Sequence, residues 1–232
     1  QGRIGVAYDV TESLTLGANV GMLTGSTTLG TRRTFEDDGL GLSPFQTQVS
    51  SAYTAPLVGV GMRLRMGSAR VGAAVTWTGD LSIDVEDGTD SEVAMPLQAV
   101  AGASVWLVDD LLLALSGRWS GWSSADGFDG ATAEDVVEIG GGIEYTGIET
   151  TRRVFPVRLG ARFGAQPFGF GGSAPSESAV SFGLGARLAG TEETPMALVD
   201  FAIERGARGD LDDNGLSESF WRATVSISLF AQ

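Results

Sequence analysis

The sequence predicts an all-β protein, a transmembrane antiparallel β-barrel with about eleven strands visible in the chain. Three observations predict it. Bulky apolar residues alternate with glycine, arginine and small polar residues along most of the chain, the period-two mark of strands with two unlike faces. The connections between alternating segments are short and long by turns. No helical period persists, and no apolar run approaches the roughly 18 residues of a membrane helix.

The segments are read in order as Arg3–Val10, Leu14–Thr24, Ala55–Met66, Ala69–Thr78, Leu97–Leu107, Leu111–Ser120, Val136–Tyr145, Val154–Gly164, Ala179–Leu188, Met196–Glu204 and Phe220–Leu229. Each has about the length with which a tilted strand crosses a bilayer. Thr11–Ser13, Gly67–Ser68, Asp109–Asp110, Thr146–Arg153 and Gly190–Pro195 form the short connections. Gly25–Thr54, Gly79–Pro96, Gly121–Asp135, Ala165–Ser178 and Arg205–Ser219 form the long ones. Outer-membrane barrels sort their loops in this way, with tight turns at the periplasmic rim and long loops outside. A soluble sandwich has no reason to do so.

The stretch FPVRLGARFGAQP, Phe155 to Pro167, orients the faces. Val157, Leu159, Ala161 and Phe163 alternate with Arg158, Gly160 and Arg162. An arginine at the lipid midplane costs roughly 2–4 kcal/mol, so the apolar row faces lipid and the arginines face the lumen. Leu159→Arg is therefore expected to impair assembly more than Arg162→Leu. Tyr8, Trp77, Trp106, Trp119, Trp122, Tyr145, Phe155, Trp221 and Phe230 lie near strand ends, where interfacial aromatic girdles sit.

Composition narrows function. The chain has 232 residues, no cysteine and no histidine. Disulfides, thiolate chemistry, the usual zinc sites and nucleophile–histidine triads are thereby removed. No carboxylate pair suits acid–base catalysis, so no enzyme and no cofactor are expected. The net charge of −14 argues against a nucleic-acid partner, which needs a basic face.

From Met95 onward the residues resemble the long-chain fatty-acid transporter (FadL) family of outer-membrane proteins. The resemblance rests on MPLQAVAGASVWLVDDLLLALSGRWSGWSS with Pro96, Gly102, Trp119 and Trp122, then IGGGIEY at Ile139–Tyr145, then FPVRLGARFGAQP. SFGLGARL and LVDFAIERG, with Gly183, Gly185 and Asp200, complete it. It implies a fourteen-stranded barrel in the bacterial outer membrane, plugged by an N-terminal hatch. Residues 1–232 are then one barrel domain, with the hatch and first strands expected before Gln1. An odd strand count has the same consequence for parity, unless Leu81, Ile83 and Val85 form an overlooked strand. The implied function is passive uptake of hydrophobic small molecules such as long-chain fatty acids. A non-transporting barrel serving as scaffold or secretion partner, and a general porin, are the alternatives.

Arg63, Arg65, Arg70, Arg118, Arg158, Arg162, Arg187 and Arg222 are assigned to the lumen, with Glu138, Glu144, Asp200 and Glu204 as carboxylates they can meet. An internal salt-bridge lattice is one reading. A bidentate arginine seat for a ligand carboxylate, at Arg158, Arg162 or Arg118, is the other. Asp210, Asp212 and Asn214 open like a calcium loop, but its twelfth position is Trp221 instead of glutamate. The expected partners are membrane lipid and lipopolysaccharide, a hydrophobic ligand, and proteins through the extracellular loops. Carboxylates crowd the long loops, where divalent cations can bridge them to lipopolysaccharide phosphates.

Overall fold

In the computed structural model the chain is described over residues 1–34, 45–86, 88–125, 132–150, 153–169, 173–190 and 195–229. Its strands are β1 (Gly2–Asp9), β2 (Leu14–Arg33), β3 (Phe45–Met66), β4 (Ala69–Thr78), β5 (Leu81–Val85), β6 (Ser91–Val93), β7 (Gln98–Val108) and β8 (Leu111–Ser120). They continue as β9 (Thr132–Ala133), β10 (Val136–Tyr145), β11 (Glu149–Thr150), β12 (Arg153–Val154), β13 (Val157–Ala165), β14 (Phe168–Gly169), β15 (Ser176–Gly190), β16 (Pro195–Arg208) and β17 (Glu218–Leu229). One 13-stranded sheet carries the architecture, in the order β1-β2-β3-β4-β7-β8-β10-β13-β15-β16-β17, with β5 and β6 off that path. Every pairing is antiparallel between chain neighbours on the path. The eleven strands of the path are the eleven the alternation predicts.

Among the described residues β1 and β17 each pair on one side only. The departure from expectation is the region Gly25–Thr54, expected as a loop. Most of it is strand, because β2 and β3 pair from Leu14↔Leu64 up to Arg33↔Phe45. Residues such as Thr27, Thr28, Val49 and Tyr53 favour extended backbone, although neither face carries the apolar row of a lipid-facing strand.

β5 does exist, as the alternation of Leu81, Ile83 and Val85 allows, but it adds no strand to the wall. It pairs with β3 at Ser51–Thr54, along the edge that β4 occupies at Leu57–Met66. β4 and β5 are thus one long strand interrupted by a bulge, since Ala55 and Pro56 face Gly79, Asp80 and Leu81. Glycine suits that bulge, because a Cβ at Gly79 would lie 2.9 Å from Pro56 Cγ. β6 then pairs with β5, so β2, β3, β5 and β6 form a projection beyond the wall on the long-loop side.

The faces follow from the register. Leu159, Phe163, Leu184 and Val225 stand on one side of the sheet and are exposed, Val225 at 66%. In a membrane this is the lipid face. Trp77, Trp119, Tyr145 and Trp221 share it at strand ends, as girdle residues should. Trp106 does not. It shares the inward row with Ser104, and the register shifts between Trp106 and Val108. Phe230 lies outside the described residues.

Two long loops are tied together. β9 pairs with β14, and Trp122 meets Phe168 edge-on with ring centroids 5.2 Å apart. The Asp135 carboxylate accepts from the Ser123 backbone N–H at 2.9 Å and from Trp119 Nε1 at 3.3 Å. Hydrogen bonds from Ser123 and Trp119 hold its pKa below the ordinary carboxylate value.

Candidate functional site

The inward rows divide into two unlike halves. On β10 to β17 they carry Arg158, Arg162, Arg208 and Arg222 among Glu138, Glu144, Glu177, Asp200, Glu204 and Glu218. On β1 to β8 they carry Arg3, Arg63, Arg65, Arg70 and Arg118, with Asp9 as the carboxylate.

The first half is a lattice of ion pairs. Arg158 Nε donates to Glu144 at 2.5 Å, and its Nη1 donates to Asp200. Arg162 meets Glu177 at 2.5 Å, Glu204 at 3.1 Å and Glu138 at 3.9 Å. Arg208 joins Glu177 at 2.5 Å to Glu218 at 3.5 Å, and Arg222 meets Glu204 at 3.2 Å. Glu177 is the most deeply enclosed carboxylate among the described residues, its side chain 5% exposed. Such burial is tolerable only because two guanidinium groups neutralise it.

Small residues make the lattice possible. Arg158 and Arg162 stand on β13, yet reach carboxylates on β16 with β15 between them. That span is about 10 Å between strand axes. The inward row of β15 offers Ala179, Ser181, Gly183 and Gly185 in the gap, so nothing blocks the guanidinium groups. A Cβ at Gly185 would come 2.6 Å from Asp200 Oδ1 and 3.3 Å from Cδ of Pro156, which is fully buried. At Gly183 the nearest atoms would be 3.5 Å away, ordinary contact. Gly185→Ala should therefore cost about 1–3 kcal/mol by overpacking, while Gly183→Ala stays near neutral. Urea titration of the two variants in detergent checks this, and equal midpoints would refute the packing account.

Arg158 and Arg162, two expected ligand anchors, are thus already bound to carboxylates of the wall. The third, Arg118, is exposed on the inward row and makes no ion pair with a described residue. Arg65 and Arg70 likewise lack a described ion pair, although they stand directly opposite each other. Arg63 donates to Thr15 Oγ1 at 3.4 Å, and Thr15 in turn donates to Asp9. The side chain of Arg187 is not among those described. Glu177, Arg208 and Glu218 were missed by sequence reasoning because they fall in stretches read as loops.

The β1–β7 part of the inward face is nearly bare. Gly5, Ala7, Gly17, Asn19, Gly59, Gly61 and Ala74 line a trough of about 540 Å³, with Arg3 and Thr76 among its walls. Asn19 faces glycine on both neighbouring strands, Gly5 and Gly59, and its Oδ1 is buried with no hydrogen-bond partner. A larger depression, about 700 Å³, lies on the outward side among Val71, Ala101, Leu115, Ile139 and Phe163. It faces lipid and is no part of the lumen. In the calcium-like stretch Asp210 caps the short helix Leu211–Asn214, accepting from the Asp212 N–H at 2.8 Å. Among the described residues no group of three or more acidic side chains is placed to hold a metal.

No family model matches the chain, and no curated protein matches it in sequence. Solved structures do match it. The CymD monoaromatic hydrocarbon channel aligns at TM-score 0.64 and 18% identity, over 99% of this chain and 72% of that one. A Pseudomonas aeruginosa FadL homologue aligns at 0.61 and 16%, over 97% and 64%. The Ralstonia pickettii toluene transporter TbuX aligns at 0.56 and 18%, over 98% and 66%. The chain therefore spans less than two thirds of the last two proteins. At these identities the likeness shows the fold, which is that of FadL-like outer-membrane β-barrels, as the sequence resemblance implies.

Proposed function

We propose that this chain forms wall strands of a bacterial outer-membrane channel that admits hydrophobic small molecules. The observation that carries the reading is the divided inward face on a FadL-like fold. One half is filled and stiffened by ion pairs, and the other holds a trough of glycine and alanine open to a guest. Burying a guest against such a surface is worth about 25 cal/mol per Å² of apolar area. The names of the structural neighbours, a monoaromatic hydrocarbon channel and a toluene transporter among them, support the substrate class. They are channels and transporters, which supports a function without catalysis.

Long-chain fatty acids belong to this class, and for them the free arginine matters. Arg158 and Arg162 serve the wall, so Arg118 is the guanidinium we assign to a ligand carboxylate. A charge-assisted bond is worth about 1.5–3 kcal/mol, so Arg118→Gln should weaken oleate binding at least about tenfold. Binding of an uncharged hydrocarbon of similar length should not change. Displacement of a fluorescent fatty acid from the full-length protein in detergent reads both. Equal losses for the two ligands would remove Arg118 from the site. In liposomes the protein should pass toluene and exclude sugars. Sugar permeation would make it a general porin, and failure to bind or pass any apolar ligand would leave a scaffold.

A further inference from the structure

On the outward rows of the wall, the projecting hairpins aside, Arg205 is the one charged side chain among the described residues. It forms no ion pair with a described carboxylate. Its guanidinium carbon instead lies 5.1 Å from the ring centroid of Trp221, its cross-strand neighbour. The lipid face changes character at this level. Towards the short turns its rows are bulky and apolar, with Phe182 and Leu184 on β15, Ile203 on β16, and Val225 and Ile227 on β17. Towards the long loops they read Ser176, Ser178, Ala207 and Ser219. Arg205 thus marks the boundary between hydrocarbon and headgroups on the long-loop side, where arginine costs about 0–1 kcal/mol rather than the midplane penalty. A tryptophan at the same level is what an interface selects.

Beside Arg205 lies a depression of about 230 Å³, walled by Phe163, Val180, Ser178 and Ala207. One end is apolar and the other offers a guanidinium and a hydroxyl. Water alone fits only the second end, and an acyl chain alone fits only the first. We propose that this depression seats one anionic outer-leaflet lipid, its phosphate on Arg205 and Ser178 and the head of an acyl chain against Phe163 and Val180. A guanidinium holds phosphate by paired N–H bonds, and the stacked Trp221 ring fixes its plane in advance. The proposal rests on the outer-membrane reading, since it needs a bilayer on the outward face.

The test uses the full-length protein folded into phosphatidylcholine vesicles doped with bisphosphorylated lipid A. Native mass spectrometry after detergent extraction counts lipid A retained per barrel. Arg205→Gln should retain at least about tenfold less than the parent, matching the loss of one charge-assisted bond. Arg205→Lys should recover part of it, and Arg70→Gln, which removes an inward arginine, should retain the parent amount. Lipid A stripped of its phosphates should bind the parent no better than Arg205→Gln binds intact lipid A. Equal retention by Arg205→Gln and Arg70→Gln overturns the site, as does full displacement of the lipid by inorganic phosphate, which would make it a plain anion site. Heat-modifiable mobility is read alongside. A parent that never inserts refutes the membrane reading and the site together, whereas an inserted barrel indifferent to Arg205 refutes the site alone.

Discussion

Leu159→Arg is expected to cost the inserted barrel about 2–4 kcal/mol, a sizeable share of a typical folding free energy of about 5–15 kcal/mol. The residue sits on the lipid row of β13, between Ile143 on β10 and Phe182 on β15. All three point outward, and Leu159 is 52% exposed on that face. No carboxylate stands on the outward rows nearby to neutralise a new cation. A long side chain can reach towards the interface, which sets the lower figure of the range. The comparison variant is Gly160→Ala, one position along on the inward row, whose new Cβ would lie 2.9 Å from the Ser181 hydroxyl oxygen, which can rotate away, and 3.5 Å from the Gly141 carbonyl oxygen, an ordinary contact. Urea titration and heat-modifiable mobility should separate the two clearly. If both unfold at the same midpoint, the outward assignment of Leu159 is wrong.

Lipid explains why so much of the wall could be read in advance. It demands an apolar row on every crossing strand, so the alternation of Leu14 to Met22, of Val58 to Leu64 or of Val180 to Leu188 repeats with little noise. Where lipid makes no demand, the pattern fades. The upper parts of β2 and β3 leave the wall, carry serine and threonine on both faces, and read as loop. β5 shows the opposite case: its alternation is visible, but one sequence cannot say that it shares an edge of β3 with β4. Trp106 stands at inward parity with Gln98 to Ser104, and the bulge that follows it returns Val108 to the outward row; no period reveals a bulge. The site was legible in kind but not in membership. The arginines and four of their carboxylates stand at inward parity in the sequence. Which carboxylate each reaches depends on the gap over β15, a matter of register between strands. Glu177, Arg208 and Glu218 belong to that register too, in strand extensions that the apolar rows do not mark.

That register also changes what is expected of Arg162, read from sequence as the more tolerant position. Arg162→Leu should cost about 3 kcal/mol, comparable with the lipid-face substitution. The guanidinium group touches three carboxylates, and its side chain is 25% exposed. Its removal leaves Glu177 and Glu204 facing each other's charge, with Arg208 and Arg222 remaining as partners. Breaking a well-buried pair costs about 3–5 kcal/mol, and these remaining contacts hold the figure to the low end. Glu138, 38% exposed, adds little because water screens it. The loss should be recoverable from the other side. Glu204→Gln removes the carboxylate that Arg162 grips with two hydrogen bonds, both 3.1 Å. Combined with Arg162→Leu, it should cost less than the two single changes added, by about 0.5–3 kcal/mol. Glu177→Gln in the same cycle should couple to both Arg162 and Arg208. The measurement is unfolding free energy in one detergent at one ionic strength, for all members of the cycle. Strict additivity would mean that the short distances carry no energetic coupling and that the arginines are held by solvent alone. Coupling at Glu204 together with unchanged oleate binding in Arg162→Leu would settle the role of this arginine as part of the wall.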